Sequence, residues 1–582
     1  MADTYPRPRF GAPREPARPK NPGSGLVRVV DIAAGSHARA VALLVLCGLL
    51  FFLPGFFNIP PVDRDEARFA QATKQMVESG DFVDIRFQDE VRYKKPVGIY
   101  WLQAATVETA SRLGLPRAQV RIWLYRVPSL IGAIGTVLLT YWTALAFVTR
   151  RGALLAGLVM CASVLLGVEA RLAKTDAMLL LAATAVMGSM ARVYLSWQRG
   201  DDPPHPPWTW PAIFWTALAG AILLKGPLIL MFVVLTVATL AILDRSAGWL
   251  WRLRPLWGLM WMLVLVLPWF VAIFLKAGDT FFSASLGGDM LSKVASPQES
   301  HGAPPGLYFV LFWLTFWPGA TLAGMAAPAV WRARREPGAQ YLLAWLVPAW
   351  IVFELVITKL PHYVLPLYPA IAILIVGVLE RGLLSRKPWI VRGTAWWFVM
   401  PAIVSVGAVI GGMALLRQPE FLAWPFAAGA VIFGLFAWWL YDDAHAERSL
   451  LNAVGASWLL AVCVYGVIIP SLAPLFPSVQ IARALRGVQC VGPAVASAGF
   501  HEPSLVFMVG TATRLTNGSG AADFLLQGSC RFALVEWREE RAFAQRAEAI
   551  GLLYNVATRI DGYNFSQGRA ISVAIFRSEG TE

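Results

Sequence analysis

The stretch Pro255-Leu256-Trp257-Gly258-Leu259-Met260-Trp261-Met262-Leu263-Val264-Leu265-Val266-Leu267-Pro268-Trp269-Phe270-Val271-Ala272-Ile273-Phe274-Leu275 contains no ionisable side chain, and Arg252 and Arg254 stand just before it. A bilayer core about 30 Å thick takes roughly 20 apolar residues of α-helix, so this run is long enough to cross a membrane. Similar runs precede it near 40–57, 122–148, 152–170, 176–196, 210–224 and 226–243. Others follow near 307–330, 340–357, 363–380, 393–415, 423–441 and 451–470. The pattern predicts an α-helical polytopic membrane protein with about thirteen spans. Composition agrees, since only 15% of 582 residues are charged and 57% are hydrophobic, too little charge for a soluble surface of that size. Soluble, disordered, collagenous and disulfide-scaffold classes are excluded. The net charge of +14 does not indicate nucleic acid, because the basic residues punctuate apolar runs and form no basic-aromatic surface.

Arginine placement predicts orientation. With the N-terminus inside, the inner loops carry Arg150, Arg151, Arg192, Arg199, Arg245, Arg252, Arg254, Arg332, Arg334, Arg335, Arg381, Arg386, Lys387 and Arg392. The short outer loops hold little beyond Arg171, Lys174, Lys225, Lys359 and Arg417. Residues 1–39 read as a flexible basic cytoplasmic tail, and the first run as a retained anchor. The membrane domain is expected over 40–471, with a first outer loop at 58–121, bearing an amphipathic helix, and a second at 276–306. Residues 472–582 change to a soluble pattern. Short β-type runs at 504–510, 531–537 and 571–576, with a helix-like stretch near 538–550, predict a small outer α/β domain. Residues 563–569 look like a turn between two strands. Cys47, Cys161 and Cys463 fall in spans, while Cys490 and Cys530 share the outer domain, where a disulfide is permitted but not dictated by sequence.

Ionisable residues concentrate in the outer turns. Asp63-Arg64-Asp65-Glu66-Ala67-Arg68 follows the first span, and Lys94-Lys95-Pro96 precedes a helix. Glu169, Arg171, Lys174 and Asp176 crowd one turn, Lys225 another, and Lys359, His362 and Tyr363 a third. Charges at helix ends near a bilayer are costly unless paired or functional. A lysine from each of several turns would build a positive pocket suited to an anionic lipid headgroup. The plainer readings are a solvated juxtamembrane charge run, snorkelling lysines and mutual pairing such as Arg171 with Asp176. His301 reads best as a solvated loop histidine. No P-loop and no zinc-spaced Cys/His set is present. Whether a divalent metal assists is open, since the loop carboxylates show no metal-like spacing.

In their order along the chain, Asp65-Glu66-Ala67-Arg68-Phe69-Ala70, Glu78-Ser79-Gly80-Asp81 and Lys95-Pro96 before Tyr100-Trp101 resemble the first periplasmic loop of the ArnT-like membrane glycosyltransferases. These belong to the GT-C superfamily, with the protein O-mannosyltransferases. The resemblance continues through Arg126-Val127-Pro128-Ser129, Lys174-Thr175-Asp176, Lys225-Gly226-Pro227 and Lys359-Leu360-Pro361-His362-Tyr363, so it spans about residues 40–380. It implies thirteen spans, a C-terminal periplasmic domain, a bacterial inner-membrane location, and a polyprenyl-phosphate-linked sugar such as an undecaprenyl phosphate donor, with no further cofactor required. By the same resemblance Asp65 and Asp176 are catalytic acids, and Lys95 and Tyr363 hold the donor phosphate. Glu66, Arg68, Lys174, Lys225, Lys359, His362 and, more weakly, His301 are second-rank pocket candidates. The chain departs from the aminoarabinose transferases at Lys94, where they often carry Glu, and over 284–306. Those departures bear on the sugar and the acceptor.

The expected reaction is transfer to an envelope glycan or to a lipopolysaccharide lipid A/core acceptor at the periplasmic face, with inversion. A protein O-glycosyltransferase is the alternative within the same chemistry. A lipid-linked sugar flippase is the alternative from another class, but it would need charges deep within the spans, and here they collect at helix ends.

Overall fold

The computed structural model describes residues 25–201, 207–285, 302–416, 421–487, 490 and 492–578. The chain opens with α1 (Gly25–Ala34) and α2 (His37–Phe52). The first long loop holds α3 (Asp65–Ser79), a short antiparallel pair β1 (Arg86–Phe87) and β2 (Glu90–Val91), and α4 (Gly98–Arg112). Then come α5 (Ile122–Ala144), α6 (Arg150–Ala162), α7 (Val164–Glu169), α8 (Asp176–Arg199), α9 (Thr209–Lys225), α10 (Leu228–Asp244) and α11 (Pro255–Ala277).

Among the described residues seven helices are long and apolar enough to cross a membrane: α5, α8, α11, Pro337–Leu355, Pro361–Leu379, Pro388–Leu416 and Ala446–Ser471. Four shorter apolar helices accompany them: α2, α9, α10 and Ala423–Trp439. The runs expected at 152–170 and 307–330 are each interrupted. α6 ends at Ser163, whose ψ of 125° is not helical. Leu307–Thr315 and Gly319–Arg332 are parted before Pro318, which has no N–H to continue the ladder. The two breaks meet, with the Ser163 hydroxyl donating to the Thr315 carbonyl at 3.1 Å.

Apolar side chains face outward as well as inward. On α11, Leu256, Trp257, Met260, Val264 and Leu275 are exposed, as befits a helix whose surroundings are lipid. α8 and Tyr368–Leu379 are buried along most of their length and form the centre of the helical domain. Close approach is built into the sequence there. A methyl at Gly132 of α5 would lie 2.7 Å from the Ala177 backbone of α8, so a glycine is needed where these helices touch.

Residues 25–34, expected within a flexible tail, form α1 instead. Val30 and Ala33 are buried while Leu26, Val29 and Ile32 are exposed. Arg151 of α6 pairs with Asp31 at 2.8 Å and with Glu447 at 2.6 Å, which ties α1 to the helical domain.

The C-terminal region is a five-stranded sheet with helices. β3 (Ala494–Ala498), β4 (Arg514–Thr516), β5 (Arg531–Glu536), β6 (Tyr554–Asn564) and β7 (Arg569–Ser578) lie in the order β4-β3-β5-β7-β6. β4, β3 and β5 are parallel, while β7 is antiparallel to β5 and β6. The strand expectations at 531–537 and 571–576, the helix near 538–550 and the turn at 563–569 match β5, β7, Glu540–Ala549 and the β6–β7 turn. The run 504–510 is corrected, because Pro503–Val509 is a helix. A short apolar run reads equally as strand or buried helix, and Pro503 at the first helical position settles it here. Cys490 and Cys530 form a disulfide with Cα atoms 6.0 Å apart.

Candidate active site

Of the seven long apolar helices among the described residues, the two most buried, α8 and Pro361–Leu379, both begin on the face that carries the first long loop, and both bring site residues there. Asp176 is the first residue of α8, and His362 and Tyr363 lie in the turn Pro361–Leu367 that leads into Tyr368–Leu379. Lys225 ends α9, and Glu169 ends α7. The turn between α7 and α8 carries Lys174. Asp176, Lys225 and Glu169 are thus fixed by helix termini, and Lys174 by the short turn between two of them.

Together they form one network. Lys174 Nζ lies 3.2 Å from Glu169 Oε2 and 3.7 Å from Asp176 Oδ2. Lys225 donates to Asp176 and sits 5.5 Å from the centre of the Tyr363 ring. His362 bridges the carboxylates, with Nδ1 3.8 Å from Glu169 and Nε2 3.6 Å from Asp176. Burial alone would lower the Lys174 ammonium, but the carboxylates of Glu169, Asp176 and Asp65 hold it above the ordinary lysine range. Asp65 therefore acts on this cluster from the first turn of α3. It is exposed, and among the described residues its carboxylate makes no hydrogen bond.

Glu169, Asp176 and His362 offer three ligand atoms within 4.8 Å of one another. Each carboxylate already faces an ammonium group, so a divalent ion would have to enter beside two like charges. The set fits an ion-pair network better than a metal.

Lys95 stands three residues before Gly98, the first residue of α4. A methyl at Gly98 would lie 2.7 Å from the Leu223 carbonyl oxygen, so the glycine lets the start of α4 press against the end of α9, which bears Lys225. Below this contact an apolar groove of about 750 Å³ runs between α4, α5, α8 and α9. Gly98, Trp101, Met178, Ala182, Ala217 and Leu224 are among its lining residues, and Thr216 is its one hydroxyl.

Several expected pocket residues lie elsewhere. Glu66 is buried and paired to Arg126, with Nε–Oε1 2.7 Å and Nη2–Oε2 2.9 Å. It also accepts the backbone N–H groups of Val62 and Ala173 at 2.9 Å. Arg126 spends its remaining donors on the carbonyls of Phe56, Ile59 and Pro60. This pair bolts the first loop to α5 and leaves no capacity for substrate. Arg126→Ala should therefore destabilise the protein by about 3–5 kcal/mol, because it strands a buried carboxylate. Thermal unfolding of the full chain in detergent measures this. Lys359 is likewise occupied, donating to the carbonyls of Glu354 at 2.8 Å and Val356 at 2.5 Å, so it closes its own turn. Arg68 acts on Asp63, on the side of the C-terminal domain. Arg171 does not pair with Asp176; it donates to the carbonyls of Pro54, Gly167 and Phe51 and lies 4.2 Å from the Tyr465 ring centre. His301 lies outside the described residues.

Glu169, a member of the network, and Arg126, which anchors the first loop, are not site candidates on sequence: Glu169 is one charge in a crowded turn, and Arg126 one charge inside an apolar run. An arginine within a span is itself a signal that a partner exists.

Residues 44–279 match the family model for dolichyl-phosphate-mannose-protein mannosyltransferase. The chain is 27% identical over 501 residues to the undecaprenyl phosphate-alpha-4-amino-4-deoxy-L-arabinose arabinosyl transferase of Aeromonas salmonicida, covering 84% of each. The enzyme of that name from Pectobacterium carotovorum is 24% identical over 437 residues, covering 73% of this chain and 74% of its own. In fold, the chain is similar to the crystal structure of ArnT from Cupriavidus metallidurans bound to undecaprenyl phosphate. That likeness has a TM-score of 0.69 at 19% identity and covers 93% of this chain and 98% of that one.

Proposed function

We propose that this chain, a multi-pass membrane glycosyltransferase of the GT-C superfamily with an ArnT-like fold, moves a sugar from a polyprenyl-phosphate donor onto an envelope glycan or lipid A/core acceptor. The observation that carries the reading is the apolar groove beneath the charged cluster. Its upper lining residues Gly98, Met178 and Leu224 lie within three positions of Lys95, Asp176 and Lys225. A prenyl tail lying in that groove would bring its phosphate to the lysines, and the sugar would project toward Asp65.

Breaking the C1–O bond leaves negative charge on the phosphate, and preorganised cationic and hydroxyl donors stabilise it best where water is scarce. Lys95 and Tyr363 hold that phosphate, and the lysines supply the positive charge that a metal would otherwise bring. Asp65 accepts the proton of the acceptor hydroxyl as it attacks C1. Asp176, fixed by Lys225 and Lys174, orients sugar or acceptor. A single displacement inverts C1. The chain crosses the bacterial inner membrane thirteen times, with the N-terminus cytoplasmic and the C-terminal domain periplasmic. This topology is supported by the arginine-rich turns on the face opposite the site.

Mass spectrometry of envelope glycolipids and glycoproteins tests the reading, in a deletion strain complemented with wild-type or Ala217→Trp protein. An indole at Ala217 fills the groove, and the sugar should disappear from one glycolipid class in both the deletion and the variant strain. Loss of a sugar from proteins with glycolipids intact would make this a protein O-glycosyltransferase. Full activity of the variant would remove the groove from the donor site.

A further inference from the structure

The C-terminal domain meets the first loop along two distinct lines. One runs down α3 and the β1–β2 pair. There Gln71 donates to Thr511 at 2.8 Å, Lys74 to the Phe507 carbonyl at 3.1 Å, and Gln88 to the Thr513 carbonyl at 2.6 Å, while the Thr511 hydroxyl donates to Glu78 at 2.6 Å. Phe507 also packs against Tyr125 along this line, with ring centres 5.3 Å apart. The other line touches only the two residues immediately before Asp65. Asp63 Oδ1 accepts the Ser504 backbone N–H at 2.9 Å, and Arg64 Nη2 donates to the Ser566 carbonyl at 2.9 Å.

The geometry of those two residues is unusual. Arg64 has φ 70° and ψ −117°, a conformation that a side chain with a Cβ rarely adopts and keeps only where its surroundings impose it. Asp63 is held beside Glu502, itself fixed by Asn564 at 2.8 Å. Burial and the Glu502 charge push the Asp63 carboxyl up to about 7, against the hydrogen bonds from Ser504 and the Arg68 charge. Both residues are thus kept in unfavourable states by the domain. From the membrane side, the Glu66–Arg126 pair holds residues 60–62. The turn is gripped at both ends, and Asp65 is the first residue beyond it.

We propose that Asp63 and Arg64 are positioning residues, clamped by Ser504 and Ser566 of the C-terminal domain so that the strained turn aims the Asp65 carboxylate at the acceptor hydroxyl. The domain thereby sets turnover without touching the donor. This rests on the reading of Asp65 as the base.

The test uses membranes carrying the full-length protein with the host's own donor and acceptor. Initial rates of product formation are followed by mass spectrometry, and inhibition by added undecaprenyl phosphate reports the donor site. Asp63→Ala and Arg64→Ala should each lower the rate about 10- to 100-fold, as expected for a misplaced reacting group. The undecaprenyl phosphate concentration for half-inhibition should stay within about twofold of wild type, since these residues leave binding untouched. Asp63→Asn retains an oxygen for the Ser504 N–H and should keep at least about half the rate, whereas Gln88→Ala, which loses its two docking bonds to the Thr511 and Thr513 carbonyls, should stay within about twofold of wild type. A rate for Asp63→Ala equal to that of Gln88→Ala would overturn the clamp, as would Asp63→Asn as slow as Asp63→Ala. If Asp65→Asn turned over like wild type, the base reading and the clamp would fall together. An inactive Asp65→Asn beside a normal Asp63→Ala would remove the clamp alone.

Discussion

Asp65→Asn should lower turnover about 1,000-fold while the protein folds and binds its donor as before. The size follows from what the residue is asked to do. An acceptor hydroxyl is a weak nucleophile, and a positioned base contributes about 100- to 10,000-fold to its attack. Each tenfold corresponds to about 1.4 kcal/mol of barrier, so the substitution removes roughly 4 kcal/mol of transition-state stabilisation. The folding half follows from the surroundings. Asp65 is exposed at the start of α3 and makes no hydrogen bond among the described residues, and its effect on the network is electrostatic, through Lys174. Asparagine has almost the same shape, and the lost charge at a helix N-terminus costs no more than about 1 kcal/mol. Glu66, one residue on, is the contrast. It carries four hydrogen bonds in a buried pair, so its loss would appear in stability first. Steady-state rates and thermal unfolding on the same preparations separate the two positions. Near-normal turnover of Asp65→Asn would remove it as the base.

The adjacent pair Asp65 and Glu66 also shows how much the sequence could tell. Charges at helix ends on one face were visible from hydropathy alone, and Asp176, Lys174, Lys225 and His362 do meet in one network. Which of two neighbouring acids faces solvent was not visible. That choice depends on Arg126, 60 residues away in α5, and no local pattern encodes it. Lys359 looked equivalent to Lys225 because each lies in a short turn near a proline, but its carbonyl cage is a property of the folded turn. Long apolar runs such as 255–275 fixed their own helix, since nothing else satisfies the backbone in lipid. Runs carrying Ser163 and Pro318 could not reveal that they would break and meet. In the C-terminal domain, β5 and β7 were legible from apolar and β-branched residues. β3, made of Ala494-Val495-Ala496-Ser497-Ala498, was not, because its small side chains are set by burial between β4 and β5 and carry little strand propensity.

Lys95→Ala should lower kcat/KM for the polyprenyl-phosphate sugar about 100- to 1,000-fold, with much of the loss in KM. An ammonium that holds the donor phosphate binds the ground state and stabilises the charge growing on the leaving oxygen, so its removal raises KM and lowers kcat. Its place is set by packing. Pro96 precedes the first turn of α4, and Gly98 lets that turn sit against Leu223. Lys95 therefore stands three residues before the groove-lining Gly98, as Lys225 stands one residue after the groove-lining Leu224. Arginine should restore only part of the activity, because a planar guanidinium cannot occupy the position of a compact point charge. Lys94 is the internal control. It is exposed whereas Lys95 is partly buried, and salt screens the pull of an exposed charge on a phosphate held in the groove, so Lys94→Ala should stay within about threefold of wild type. Rates measured against donor concentration for both variants decide the point. If Lys94→Ala carried the larger loss, the phosphate would sit one residue nearer the solvent than the groove demands, and a tail lying between α4 and α9 could no longer account for how the donor is held.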